Sequence, residues 1–294
     1  MIREGFDLAV VDYGVAPSIH VADPEVAEQQ LRKVAADDPD LLLVQTIQTD
    51  VAGVAAEHPD TQFVVYDQPS TQPNVTSVVS QDEEGAFLAG AAAALVSESG
   101  MVGFIGGVRG ELIERFEAGF TAGARTIDPD IDVLVEYLST PPDYAGFVSV
   151  DRGLAVARQM YDDGAEVVFA AAGQSGLGVI EAAAAESTAT RHLWAIGVDS
   201  DQYETVQWLP GVVEPERWQA HILTSVTKSL DANIYDVIAD HSRGRLKGGV
   251  REVGIASGAV DLSWSGGYLE THRATLEALR EQIVNGELLV PDQP

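Results

Sequence analysis

Several short apolar runs in this chain end in residues able to hold a polar molecule. MVGFI is followed by Gly106, Gly107, Val108 and Arg109, and VVFAA leads into Gly173, Gln174, Ser175, Gly176, Leu177 and Gly178. LWAIGV runs into Asp199, Ser200, Asp201 and Gln202, QFVVY into Asp67, and LLLVQ into Thr46. Glycine lets backbone N–H groups approach a ligand, a following helix start adds donors, and aspartate accepts from hydroxyls. A tight strand-to-helix turn also asks for glycine on its own account. Asp199 and Asp201 suit metal ligation, acid–base work, hydroxyl binding or the capping of a turn. The tryptophans Trp194, Trp208, Trp218 and Trp264 suit stacking on a planar ligand or plain packing.

Enzyme signatures fail on inspection. G-x-G-x-x-G is absent, because the glycines from Gly173 to Gly178 are spaced G-x-x-G-x-G and lie deep in the chain. G-x-S-x-G fails, since Ser175 is followed directly by Gly176 and Leu177. There is no P-loop sequence. The six histidines form no pair at i, i+3 or i, i+4, and there is no cysteine, so neither a local zinc signature nor a thiolate nucleophile exists. The expectation is a protein that is not an enzyme and holds no cofactor and no metal.

The elements that carry these residues alternate. Residues 18–23 (SIHVAD), 41–45, 62–66, 75–80, 101–105, 131–137, 166–171, 193–198 and 250–255 read as strands. Between them lie helical patterns, among them 82–97, about 108–125, 143–162 and 175–186, with Asp23 and Pro24 supplying a cap and a first-turn proline for another. DLAVVDY (7–13) permits a helix or a strand. Ile222, Val226, Leu230, Ile234 and Ile238 recur every fourth residue and predict one long helix after Trp218. This is the pattern of an α/β protein with parallel sheets covered by helices. It occurs twice, with a break at 97–100. Lobe one is expected at 1–97 plus 222–245, and lobe two at 98–218 plus 246–294.

The chain has 294 residues, with 46 acidic against 17 basic for a formal charge of −29, and only Lys33, Lys228 and Lys247 are lysines. That balance excludes a cationic nucleic-acid face and a basic membrane patch. It suits a protein adapted to high salt, where repulsion is screened to within ~3 Å at 1 M. A lysine within an apolar face is hard to assign to solubility when lysines are so few. No apolar run approaches the ~20 residues of a membrane span.

MVGFIGG, ERFEAGFTAGART, GAEVVFAAAGQSGLGVIEAA, AIGVDSDQ and HILTSVTKSLDANIYDVI together resemble the basic membrane protein family. These are substrate-binding lipoproteins of ABC importers, including purine nucleoside receptors. EEGAFLAGAAAAL, FVVYD and IVNGELLVP also fit, and the likeness runs from about residue 20 to 294. It implies a type I periplasmic-binding-protein fold: two Rossmann-like lobes, a ligand cleft between them and closure by a hinge. It implies a nucleoside-like ligand and an ABC transporter permease as partners.

Residue by residue, the resemblance makes Asp199 the carboxylate on the ribose hydroxyls and Lys228 a second sugar contact. Gly173, Gln174, Ser175 and Gly176 form the ligand turn. REGFDLA (3–9) is similar to a family segment whose phenylalanine stacks on the base, which makes Phe6 the stacking residue and Asp7 its neighbour. Thr46, Asp67, Gly107 and Arg109 complete the expected set. Arg109 stands where the family usually has a base-contacting aspartate, so a cationic donor replaces an acceptor and suits a phosphate, carboxylate or carbonyl. A competing reading of the strand ends pairs Asp199 with Lys228 to hold the structure together.

The family begins with a lipoprotein signal and a first strand, and this chain starts after both. Lobe one is therefore expected to lack its first strand. The expected location is extracytoplasmic and lipid-anchored if the chain is an N-terminally truncated form, and cytoplasmic if Met1 is the true start. A cytosolic ligand-sensing regulator with the same fold is the alternative function.

Overall fold

The computed structural model describes residues 2–22, 26–45 and 49–294, with no side-chain description for 2–4. Contacts divide the chain into two compact units. Unit 1 comprises Met1–Ser80 and Ser229–Val253, and unit 2 comprises Gln81–Lys228 and Gly254–Pro294.

In chain order, unit 1 opens with α1 (Ile2–Tyr13), α2 (Ala27–Ala35), β1 (Leu41–Val44), α3 (Val51–Glu57), β2 (Gln62–Tyr66) and β3 (Val75–Ser80). Unit 2 follows with α4 (Asp82–Val96), β4 (Met101–Val108), α5 (Glu111–Ile127), β5 (Asp132–Ser139), α6 (Val150–Asp163), β6 (Val167–Ala171) and α7 (Gly176–Glu186). It continues with β7 (Trp194–Asp199), the short helices α8 (Gln202–Thr205) and α9 (Pro215–Gln219), and β8 (Ile222–Lys228). The chain returns to unit 1 for α10 (Leu230–Ser242) and β9 (Gly249–Val253), then ends in unit 2 with β10 (Val260–Leu262) and α11 (Arg273–Val284).

Unit 1 holds a four-stranded sheet in the order β1-β2-β3-β9, parallel throughout. Phe63, Val65 and Val75 form its core with Leu31, Ala35, Val51 and Val54 of the covering helices. Asn74 is buried, and its amide nitrogen lies 3.0 Å from each of three carbonyls, those of Ala55, His58 and Thr61. One side chain thus satisfies the end of α3 and the loop into β2, groups that would otherwise be costly to bury. DLAVVDY is helical and forms most of α1, which lies against α10.

Unit 2 holds a six-stranded sheet in the order β10-β8-β7-β6-β4-β5, parallel except for β10. Phe104, Phe116, Phe120 and Phe169 cluster on one face with ring centroids 5.5–6.1 Å apart. Each buried ring removes enough apolar surface from water to stabilise the unit by about 1.5–3 kcal/mol. Helix α4 is buried along almost its whole length. Such a helix must be enclosed on all sides, and its alanines and glycines set how closely its neighbours approach. Gly119 and Gly123 of α5 sit against the Glu83 and Phe87 carbonyls of α4, and Gly90 of α4 against the Phe120 carbonyl. The two backbones touch, which no residue with a Cβ permits.

Two expectations from the sequence are corrected. Residues 222–228 are strand β8, and the helix begins only at Leu230. A spacing of four equals two strand repeats, so Ile222 and Val226 fit either period; Thr224, Val226 and Thr227, β-branched and set in a ladder, decide for the strand. Residues 18–22 belong to no sheet among the described residues; Asp23 and Pro24, the expected cap, lie outside the described residues. The compact units also divide at 80/81, 228/229 and 253/254, whereas the sequence places the boundaries at 97, 222 and 245. Helix α4 follows a unit 1 strand in sequence but makes its contacts with α5, β8 and β10.

Gly123→Ala is expected to lower the melting temperature by several degrees, because overpacking a closed contact costs about 1–3 kcal/mol. Gly110→Ala is the control: its backbone is extended and open space surrounds it. Thermal melts followed by circular dichroism compare the two, and equal melting temperatures would contradict the packing argument.

Candidate functional site

In a parallel sheet every strand ends on the same side, so the turns after β4, β6, β7 and β8 share one rim of unit 2. Gly107 and Arg109, Gly173 to Gly176, Asp199 and Lys228 all lie there. Asp199, the last residue of β7, is in register with Thr227, the neighbour of Lys228 on β8. Asp67 lies on the corresponding rim of unit 1, just beyond β2. Thr46 lies outside the described residues.

Two of these aspartates adopt left-handed backbone: Asp199 at φ 67° and Asp67 at φ 55°. Among residues with a Cβ, asparagine and aspartate tolerate this region best, and it carries a cost that persists only where something fixes it. For Asp67 the cause is visible. Its N–H donates to the Val78 carbonyl at 2.8 Å and its carboxylate accepts from the Ser80 N–H at 3.0 Å, clamping the end of β2 to the end of β3. Asp199 differs in being exposed, at the end of β7 beside β8.

Asp201 separates cleanly from Asp199. One of its carboxylate oxygens accepts from the Glu204 N–H as the cap of α8, and the other accepts from the Ser263 and Ser265 hydroxyls at 2.7 and 2.6 Å. Of the four roles open to that pair, capping fits Asp201. Ser175 is likewise committed: it is fully buried, donates to the Gly146 carbonyl at 2.7 Å and accepts from the Ser149 N–H at 2.8 Å. Gly173 beside it has φ 53°, a conformation that glycine adopts freely, while Gln174 is exposed.

The glycine pair after β4 has a packing cause. A Cβ on Gly106 would strike the Tyr137 ring and one on Gly107 the Phe147 ring. Phe147, half-buried, therefore lies over the turn after β4, and its carbonyl lies beside Gly173 after β6. This puts an aromatic ring on the rim that no motif announced; the available signal was only a phenylalanine in a glycine-containing loop. Arg109 turns toward α5: its guanidinium lies 5.0 Å from the Tyr137 centroid and its Nε 3.3 Å from Glu114. Tyr137 donates to Glu117 at 2.6 Å, and burial together with that carboxylate raises its pKa, keeping the phenol protonated. Phe6 and Asp7 lie in the second turn of α1 in unit 1, on a helix and not at a strand end.

Lys228 is at the end of β8, where alternation puts it on the face of Ile222, Thr224 and Val226. Its Nζ is 3.1 Å from both carboxylate oxygens of Asp82, the first residue of α4. The side chains are 9% and 0% exposed, so this is a buried ion pair. The structure gives Lys228 an ionic partner that the sequence reading does not name, Asp82. Next along α4, Glu83 is also buried, and burial raises its carboxyl pKa.

A family model for PnrA-like ABC transporter substrate-binding proteins, Bmp, matches residues 18–294. A CD4+ T-cell-stimulating antigen of Listeria monocytogenes is 34% identical over 248 residues, which is 82% of this chain and 66% of that protein. The ABC transporter nucleoside-binding protein BmpA of Lactococcus lactis is 31% identical over 254 residues, covering 84% of this chain and 69% of that protein. The match thus spans about two thirds of these relatives' length. Among solved structures, an ABC transporter solute-binding protein from Aeropyrum pernix superposes with a TM-score of 0.76 at 20% identity, covering 99% of this chain and 88% of the other. A transcriptional activator of the comK gene from Bacillus halodurans gives 0.77 at 18%, covering 98% and 94%. At such identities these likenesses show the fold alone, the type I periplasmic-binding fold expected from the sequence.

Lys228→Ala is expected to destabilise the ligand-free protein by about 3–5 kcal/mol, because it strands a buried carboxylate. The paired replacement Asp82→Asn with Lys228→Met should recover most of that loss. Denaturant melts in molar KCl measure both, and a Lys228→Ala variant as stable as the wild type would contradict the pairing.

Proposed function

The chain belongs to the Bmp family of PnrA-like ABC transporter substrate-binding proteins, and on that premise we propose that it is the solute-binding component of an ABC importer for a nucleoside-like molecule. The family binds and hands over solutes and is not catalytic. The partner is a transporter permease, the location extracytoplasmic and lipid-anchored, and the working medium concentrated salt, in keeping with the charge of −29.

The observation that carries the reading is Asp199. It is an exposed carboxylate held in left-handed backbone at the end of β7, on the rim of a parallel sheet. Two vicinal hydroxyls donating to one carboxylate make the simplest contact specific to a ribose, and charge assistance makes it strong. Thr227 borders it on β8 as its register partner, and Lys228 follows at the end of that strand, held by Asp82. Phe147 offers an aromatic face on the same rim and takes the stacking role the sequence reading gives to Phe6. The turn at Gly173 supplies backbone donors. Arg109, occupied with Glu114 and Tyr137, is left out of the base contact. A nucleoside with an intact ribose is favoured over a free base or a deoxynucleoside.

Titration calorimetry in molar KCl with purine and pyrimidine nucleosides tests this. At least one ribonucleoside should bind, its 2′-deoxy form more weakly. Asp199→Ala should weaken binding by about 2–5 kcal/mol, or at least thirtyfold, without lowering the melting temperature of the ligand-free protein. Unchanged affinity in that variant would overturn the assignment.

A further inference from the structure

Unit 2 carries a pair of histidines far from any strand-end turn of the rim. His192 lies just before β7 and His221 immediately before β8, at the starts of the two strands whose far ends carry Asp199 and Lys228. The imidazole rings are stacked, with centroids 4.5 Å apart and planes 16° from parallel. Each ring also bonds across to the other strand's approach. His221 Nδ1 is 2.9 Å from the Leu193 carbonyl, and His192 Nε2 is 3.2 Å from the Ala220 carbonyl. A carbonyl only accepts, so each of these nitrogens carries its hydrogen and donates. Both tautomers follow, and His192 Nδ1 and His221 Nε2 are left as the atoms that take up protons. His192 is exposed and His221 half-buried, so water reaches the pair.

The ladder between β7 and β8 is thin at this point. Ala195 pairs with Ile222, and its N–H donates to the His221 carbonyl at 2.8 Å. Directly above, the register slips: Ile196 pairs with Thr224, and Leu223 is the extra residue. Such a bulge interrupts the regular bonding of two strands. The starts of β7 and β8 therefore lean on the two imidazole bonds, together with Ser187, whose hydroxyl accepts from the Leu193 N–H at 2.9 Å.

The charged groups around the pair are cations or are engaged elsewhere. Arg191 donates to the Tyr161 and Ala165 carbonyls, and Arg217 of α9 to the Ala184 carbonyl. Glu186, at the end of α7, is held by Arg158, Glu166 accepts from the Glu98 and Ser99 N–H groups, and Glu216 is exposed on α9. On the other side of His192 lies the Trp194 ring, 4.1 Å away, backed at 4.7 Å by Tyr268, whose pKa burial raises. For His192 itself, burial and then the charge of His221 lower the pKa, against the raising effect of the Ala220 carbonyl. The folded state thus binds fewer protons than the unfolded one near the ordinary value of 6.5. The contribution of His192 to stability is present above that value and lost as pH falls through the folded one.

We propose that the stacked pair is an acid-responsive clasp: it holds the starts of β7 and β8 together while at least one ring is neutral, and parts them when protonation of both sets two like charges face to face. The device stands whichever solute the protein takes.

Nuclear magnetic resonance of the full chain in molar KCl, which screens the charge of −29, tests this. His192 should titrate below 6.5. His221→Asn, whose amide still donates to the Leu193 carbonyl, should raise that midpoint by about 0.5 or more. Protection of the Ala195 amide against hydrogen exchange should fall at least about tenfold from about pH 7 to about pH 5. His192→Gln keeps a donor for the Ala220 carbonyl but takes no proton, so its protection should change less than about twofold over the same range. A midpoint unmoved by His221→Asn overturns the proposal. So does protection that holds in the wild type, or that falls equally in His192→Gln.

Discussion

An ammonium cannot be buried in unit 2 without a carboxylate beside it, and the rim is built around that constraint. Lys228 and Asp82 meet where β8 ends and α4 begins. Their burial fixes the end of β8 against a helix that is itself enclosed by α5, β8 and β10. Thr227 is the strand neighbour of Lys228 and the register partner of Asp199. The ion pair and Asp199 thus stand at neighbouring levels on two adjacent strands. The cost of desolvating both charges is met by close geometry at 3.1 Å, not by surplus stability. Such a pair is better understood as fixing a position than as strengthening the fold.

The two left-handed aspartates show one backbone device put to different uses. Asp67 spends its carboxylate on Ser80 and ties two strand ends together. Asp199 has the same backbone but an exposed side chain. Asp201, two residues on, is held by two serines and a backbone N–H, which fixes the turn that presents Asp199. The neighbouring turns follow a similar division. Ser175 locks the loop before α6 to the turn before α7, and the Gly106–Gly107 pair admits Tyr137 and Phe147. Residues that look alike as a list of strand-end candidates thus separate by burial, with Ser175 committed within the fold and Asp199 exposed at the end of its strand.

Much of this was legible in the sequence, because strand–helix alternation and strand-end composition are local signals. The α/β class, most strands, and the position of Asp199 at the end of LWAIGV all follow from patterns a few residues long. What was missed depends on partners far apart in the chain. Asp82 looks like an ordinary acidic residue in a first helical turn, and its lysine lies 146 residues later. Helix α4 reads as the last element of the first series, since nothing local says that Gly90 meets the Phe120 carbonyl of α5. The run 222–228 was ambiguous in principle, because apolar residues four apart satisfy both periods. Phe147 belongs to no motif, and its place on the rim emerges only when Gly107 and Gly173 come beside it.

The central claim is that an exposed carboxylate at the end of β7 receives a ribose. A crystal structure grown in molar salt with the tightest-binding ribonucleoside tests it most directly. The account predicts both ribose hydroxyls within ~3 Å of the Asp199 carboxylate, the base facing the Phe147 ring and the Lys228–Asp82 pair intact. A nucleoside bound with its ribose away from Asp199, or a rim that stays filled with water while ligand binds elsewhere, would contradict it.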